Sequence, residues 1–370
     1  MVTEQLERLN RLPLRDDLRG LAPYGAPQLD VPILLNVNEN THGLPEQVRK
    51  AIAASVDRAV AGLNRYPDRE FTELRERLAA YLGHGLGTEN IWAGNGSNEV
   101  LQQILQAFGG PGRTAMSFPP TYSMYPLLAS GTGTRYVTGL RSEDFTLTAD
   151  AAADQIREQA PNIVFLCTPN NPTGTALSLD VIEAVYEAGA ASQAIVIVDE
   201  AYAEFFHAGT PSALQLLPGR ERLIVSRTMS KAFALAGARV GYMAAAPEVA
   251  DALRLVRLPY HLSAVTQATA NAALEHADAL LANVEAIKVQ RDRIVAELLT
   301  LGLKPAPSDA NFVFFGGLED PRAVWEGLLE AGVLVRDVGI TGHLRVTAGT
   351  EAETSAFLTR LRELLAAGVR

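Results

Sequence analysis

The sequence predicts an α/β fold: a large domain with a mostly parallel central sheet flanked by helices, followed by a smaller α+β domain. Three observations carry this expectation. Short, continuously apolar runs (TAMSFPP, NIVFLCTP, AIVIVDEAY, LIVSRT, VGYMAA) recur between residues 68 and 245, as expected of parallel strands covered on both faces. Helical patterns such as DREFTELRERLAAYLG and NEVLQQILQAFG alternate with them, and that alternation is the signature of crossover connections. At 370 residues the chain also exceeds what one core usually organises, so a second unit is expected.

Taken in order, residues 1–40 lack a core of their own and are expected to pack with the small domain or a partner subunit. Residues 41–262 form the large domain. Residues 263–370 form the small one: a long helical segment SAVTQATANAALEHADALLANVEAIKVQRDRIVAELLT, the strand-like NFVFFGG, a helix in PRAVWEGLLEAG, the strand-like VLVRDVG and HLRVTAGT, and a closing amphipathic helix.

Composition narrows the function. A formal charge of −10 and 48% hydrophobic residues argue against general nucleic-acid binding, which wants a basic face. No apolar run approaches the ~20 residues of a membrane span. The N-terminal stretch MVTEQLERLNRLPLRDDLRG is charged throughout, so no signal peptide is expected and the cytoplasm is the expected location. Cys167 is the only cysteine and sits in an apolar run, where it reads as a small buried hydrophobe. The six histidines are scattered without metal-ligand spacing, so no metal site is assigned.

Ligands in open α/β sheets bind beyond the carboxyl ends of strands, which singles out the polar residues there. LIVSRTMSK ends in Ser230 and Lys231, with Thr228 before and Arg239 after. A lysine desolvated near another cation sheds its proton and forms a Schiff base with an aldehyde. The hydroxyls and the guanidinium suit a phosphate. An aldehyde that carries a phosphate suggests pyridoxal 5'-phosphate. That cofactor needs a carboxylate at its ring nitrogen, and Asp199 at the end of VIVD is placed to supply one. Tyr202 and Asn171 can donate to its phenolic oxygen. Gly96-Ser97-Asn98 opens a helix and offers backbone N–H groups to the phosphate, without the Lys-Ser/Thr of a nucleotide-triphosphate loop. Read separately, Asp199 also suits a helix N-cap and Asn171-Pro172-Thr173-Gly174 a plain turn.

The ordered set GNGSNE, PPTYSMY, PNNPTG, VDEAY, SRTMSKAF and AGARVGY resembles the fold-type I, class I/II aminotransferases, which depend on pyridoxal phosphate, along nearly the whole chain. The resemblance implies that Lys231 is the Schiff-base lysine and the acid/base, that Asp199 partners the pyridinium, and that Tyr202 and Asn171 are ligands of the phenolic oxygen. It implies that Tyr122 stacks on the ring and that Ser97, Asn98, Thr228, Ser230 and Arg239 hold the phosphate. Tyr66 in LNRYPD resembles the tyrosine that reaches the neighbouring subunit's cofactor, which implies a homodimer with shared sites.

Further segments, among them LPLRDDLRGLAPYGAP, LNVNENTHG and VLVRDVGITGHLRVTAGT, are similar to the histidinol-phosphate branch of that family. In that branch the substrate is an amino alcohol phosphate and the acceptor 2-oxoglutarate. Arg345 corresponds to the substrate-anion arginine, and Arg336 with it would offer two forked guanidiniums to a phosphate dianion. Tyr24 and Tyr260 are expected in the same pocket. An aromatic amino-acid aminotransferase and a threonine-phosphate-type decarboxylase stay open as alternatives, since both share the fold. A regulator that uses the fold as a sensor would need an added DNA-binding unit.

Overall fold

Strand pairing places the predicted strand ends side by side. The structure is a computed structural model that describes residues 11–20, 25 and 28–370, with Asp17 as backbone alone; the expected pocket residue Tyr24 lies outside the described residues. The chain enters through β1 (Ile33–Leu34). The large sheet is then built from β2 (Ile91–Gly94), β3 (Thr114–Ser117), β4 (Arg135–Thr138), β5 (Ile163–Cys167), β6 (Ile195–Asp199), β7 (Leu223–Thr228) and β8 (Gly241–Ala245). Their spatial order is β2-β8-β7-β6-β5-β3-β4.

The run VGYMAA was expected to be parallel, and here the structure corrects the sequence reading. Strand β8 runs antiparallel to both β7 and β2. A run buried on both faces carries no mark of its direction, because either ladder satisfies its backbone. Strand β4 had no sequence signal: it is a four-residue edge strand whose end residues Arg135 and Thr138 are exposed.

Strands β5 and β6 are buried at every position. In register, Cys167 lies opposite Asp199, and Asp199 opposite Ser226. The carboxyl ends of three parallel strands therefore form one row, the site expected of an open α/β sheet. One residue further along, alternation of side chains puts Glu200 and Arg227 on the other face. There the Arg227 guanidinium donates to Glu200 Oε2 at 2.7 and 3.1 Å and reaches Glu204 at 3.5 Å. Ser212 Oγ and the Ala213 amide complete the shell of Glu200. This buried, hydrogen-bonded pair ties β6 to β7 directly beneath the row.

The expected long helical segment after residue 262 is two helices, Ala264–Glu275 and Ala277–Thr300, broken at His276. The first packs on helix Glu46–Val60 and the second on the small-domain strand Phe312–Gly316, so the break falls where the chain changes partners. The small domain holds β9 (Lys304–Pro305), β10 (Phe312–Gly316), β11 (Val333–Leu334) and β12 (Leu344–Thr347). Strand β10 lies antiparallel between β9 and β12, while β11 pairs in parallel with β1. Leu35 continues that pairing: its amide donates to Leu334 O and its carbonyl accepts from the Thr347 amide. The N-terminal segment thus threads between two small-domain strands and delivers Asn36 to Glu39 to the row of strand ends.

Candidate active site

A cavity of about 430 Å³ opens where the row, the N-terminal segment and the small domain meet. Lys231, Asp199 and Tyr202 line it, with Asn171 and Tyr122. So do the expected anion ligands Ser97, Asn98, Thr228, Ser230 and Arg239, and the two arginines Arg336 and Arg345. Tyr66 and Tyr260 are not on its wall. They stack on each other instead, ring centroids 4.4 Å apart at 13°, and Tyr66 is 80% exposed.

Lys231 follows β7 by three residues, and its Nζ donates to the Val37 carbonyl at 3.0 Å. Burial, reinforced chiefly by the Arg345 charge and slightly by Arg239 against the opposing pull of Glu39, holds its ammonium down at about 8. Asp199 is 3% exposed and accepts from Tyr125 Oη at 2.9 Å and Ser226 Oγ at 3.1 Å. Burial outweighs those donors and pushes its carboxyl up to about 6. Among the described residues Asp199 forms no ion pair. It ends a strand and caps no helix. Cys167 is buried beside it, and burial pushes the thiol up to about 12, so it stays a protonated wall residue.

The anion cradle is shaped by glycines. Helix Ser97–Phe108 starts at Gly96, whose φ is +86°. A Cβ there would stand 2.3 Å from the Arg239 guanidinium. A Cβ at Gly241 would stand 2.0 Å from the Ser97 amide nitrogen. Both positions require glycine, which lets the helix N-terminus and Arg239 close on one point. The Ser97 and Asn98 amides at the helix start have no carbonyl partners within the helix, and the positive helix end favours an anion. Thr228 Oγ1 donates to Ser230 Oγ at 3.0 Å, and Tyr122 Oη donates to Asn98 Oδ1 at 3.1 Å.

Arg345 Nη1 donates to Asn171 Oδ1 at 2.6 Å and Nη2 to the Asn36 carbonyl at 2.7 Å, over the face of Phe312. Its backbone pairs with that of Arg336, so both guanidiniums issue from adjacent chain segments onto one wall. Sequence reasoning missed Tyr125, Ser226 and Asn38. Ser226 was within reach, since aligning VIVD with LIVS predicts its register opposite Asp199. Tyr125 and Asn38 carry no local signal.

These residues fit the phosphorylated pyridine aldehyde that the sequence implies. An amine poised to be neutral, a buried carboxylate awaiting a cation and a glycine-shaped anion cradle face one cavity. Comparison with known proteins agrees. Residues 30–361 match the family described as aminotransferase class I and II. The chain is 78% identical, over 98% of both chains, to a histidinol-phosphate aminotransferase of Paenarthrobacter aurescens (strain TC1). It is 61% identical to one of Frankia casuarinae, over 97% of this chain and 91% of the relative. The solved histidinol-phosphate aminotransferase of Sinorhizobium meliloti in complex with pyridoxal-5'-phosphate superposes with a TM-score of 0.86 at 25% identity, covering 96% of this chain and 98% of that one. Matched along nearly its whole length in sequence and in fold, the chain belongs to the class I and II aminotransferases and, within them, to the histidinol-phosphate aminotransferases.

Proposed function

We propose that this chain transfers an amino group between L-histidinol phosphate and 2-oxoglutarate, reversibly giving imidazole-acetol phosphate and L-glutamate, with pyridoxal 5'-phosphate as cofactor. The reaction belongs to histidine biosynthesis. Bound in the cavity, the cofactor supplies an aldehyde that condenses with amines and a ring that accepts the electron pair left when a carbon loses its proton.

Lys231 holds the cofactor and, once displaced by the substrate amine, takes the proton from the substrate carbon and returns it. Its lowered basicity serves both tasks. Asp199 keeps the ring nitrogen cationic, held in orientation by Tyr125 and Ser226. Tyr202 and Asn171 serve the phenolic oxygen, and Tyr122 covers the ring. Ser97, Asn98, Thr228, Ser230 and Arg239 hold the cofactor phosphate.

The observation that carries the substrate assignment is the pair Arg336 and Arg345 on one cavity wall. Among the described residues the Arg336 guanidinium has no ion pair or hydrogen bond, which leaves its donors for a substrate dianion. Arg345, already anchored to Asn171 and Asn36, serves either the phosphate monoester or the γ-carboxylate of glutamate; Tyr24 is assigned to the same substrate, and Tyr260, stacked on Tyr66 off the wall of its own cavity, is assigned with Tyr66 to the neighbouring subunit's site. The Arg336→Ala variant is expected to lower kcat/KM for histidinol phosphate by about 10- to 100-fold, the worth of one or two charge-assisted hydrogen bonds. For phenylalanine, which brings no phosphate, the loss should be much smaller. Equal losses, or a wild-type preference for phenylalanine, would point instead to an aromatic amino-acid aminotransferase.

The assembly in this reading is a cytoplasmic homodimer. Tyr66, exposed and off the wall of its own cavity, supports a role in the neighbouring subunit's site. Among the described residues no helix is long and apolar enough to cross a membrane.

A further inference from the structure

We infer that Asn38 is a positioning residue that makes the Tyr202 hydroxyl a one-way hydrogen-bond donor toward the cavity. The inference rests on the cofactor reading above.

A tyrosine hydroxyl has one hydrogen to give and two lone pairs to fill. Asn38 Nδ2 donates to the Tyr202 oxygen at 3.0 Å, and Asn171 Nδ2 donates more weakly at 3.5 Å. The far-side partners set both amides: the Arg345 guanidinium fixes Asn171 outright, and the Thr347 hydroxyl, whose hydrogen has no other acceptor among the described residues, favours the oxygen of Asn38 on its side. Asn171 Oδ1 faces Arg345 Nη1, and a guanidinium has only donors, so the oxygen must sit there and the NH2 must face Tyr202. Asn38 Oδ1 accepts from Thr347 Oγ1 at 3.2 Å, and that hydroxyl oxygen in turn accepts the Asn38 backbone N–H at 3.1 Å. With both amides aimed at its oxygen, Tyr202 keeps its proton for an acceptor in the cavity it lines.

The backbone of Asn38 is fixed as well. It is 1% exposed, and its φ of +57° lies in the left-handed region that asparagine tolerates better than most residues. Its carbonyl accepts from Asn311 Nδ2 at 3.1 Å. The preceding carbonyl, that of Val37, is the one that receives Lys231 Nζ. The dipeptide Val37-Asn38, held by small-domain residues Asn311 and Thr347, therefore touches the amine through the Val37 carbonyl and the phenol through the Asn38 side chain. A donor aimed at the cofactor's phenolic oxygen favours its anionic form, which lowers the pH at which the bound cofactor's visible absorbance titrates.

The test is an absorbance titration of the holoenzyme, with thermal unfolding of the same samples. The variants are Asn38→Gly, Asn38→Asp, Tyr202→Phe and the double variant Asn38→Gly/Tyr202→Phe. Glycine accepts the left-handed backbone. Aspartate keeps the shape of the side chain but sets an acceptor against Tyr202. Asn38→Gly should raise the titration midpoint by about half a unit or more, and Asn38→Asp further, since its charge adds to the lost donor. Tyr202→Phe should raise it too, and adding Asn38→Gly to that background should change nothing more. A midpoint that stays put in both Asn38 variants while the melting temperature falls would leave Asn38 a purely structural residue and overturn the inference. An equal shift in the phenylalanine background would also overturn it, by showing that Asn38 does not act through Tyr202. Wild-type enzyme with no visible band after loading with pyridoxal phosphate would overturn the cofactor reading itself.

Discussion

Replacing Lys231 with alanine is expected to slow amino transfer by about 10⁴-fold or more, since one substitution removes both the covalent anchor and the proton carrier. Among the described residues the side chain contributes one hydrogen bond, to the Val37 carbonyl, so the fold should tolerate its loss. Single-turnover kinetics on the purified variant measure the effect, and a loss below about tenfold would exclude Lys231 from both roles. The pH dependence is a separate expression of the same geometry. An amine condenses with an aldehyde only when neutral, and burial beside Arg345 and Arg239 holds Lys231 at about 8. At pH 7 about one such amine in ten is neutral, against about one in three thousand for an ordinary lysine. Capture of pyridoxal phosphate by the wild-type apoprotein should therefore speed up as pH rises and level off above about 8. A rate still climbing at pH 10 would mean that the amine is not desolvated as described.

The Asp199→Asn variant is expected to lower kcat by about 10²- to 10³-fold, in the range of lost preorganised electrostatic partners, while pyridoxal phosphate still binds through Lys231 and the anion cradle. The sign of its pH dependence follows from burial. The folded-state pKa of Asp199, about 6, lies above the ordinary carboxylate value of 3.8, so its ionised form is disfavoured in the folded apoprotein. That destabilisation is absent below pH 3.8, grows through pH 6 and is fully present above it. A cation placed against the carboxylate removes it. Cofactor affinity should therefore increase from pH 5 to pH 7 in the wild type, and Asp199→Asn should flatten that part of the curve. Unchanged kcat together with an unchanged affinity profile would show that Asp199 does not face the ring nitrogen.

The residues that were legible in the sequence are those whose chemistry is local. Lys231, Asp199 and Asn171 each follow an apolar strand run, so the rule that ligands gather at strand ends finds them without any knowledge of packing. The glycine turn at Gly96 was legible for a similar reason, because it precedes a helix. Tyr125 was not, since its hydroxyl meets Asp199 across 74 residues of sequence. Asn38 meets Tyr202 across 164. The first contact depends on how the helix after β3 packs over the sheet, and the second on β1 pairing with β11 so that the N-terminal segment reaches the cavity. Strand direction was hidden in the same way: VGYMAA is apolar throughout, so its antiparallel pairing between β2 and β7 depends on topology and not on its own residues. The break at His276 separates two helices that pack on different partners, and a continuous helical pattern gives no sign of that.

The central claim is that this cavity moves an amino group from a phosphate-bearing amine to the cofactor, and one half-reaction tests it. The enzyme is loaded with pyridoxal phosphate, excess is removed, and L-histidinol phosphate is added with no oxo-acid present while the visible absorbance is followed. The band should be discharged by about one equivalent of amine per chain, without CO2 release, and restored by 2-oxoglutarate. A band that persists with histidinol phosphate but is discharged by phenylalanine, or a discharge accompanied by CO2, would contradict the account.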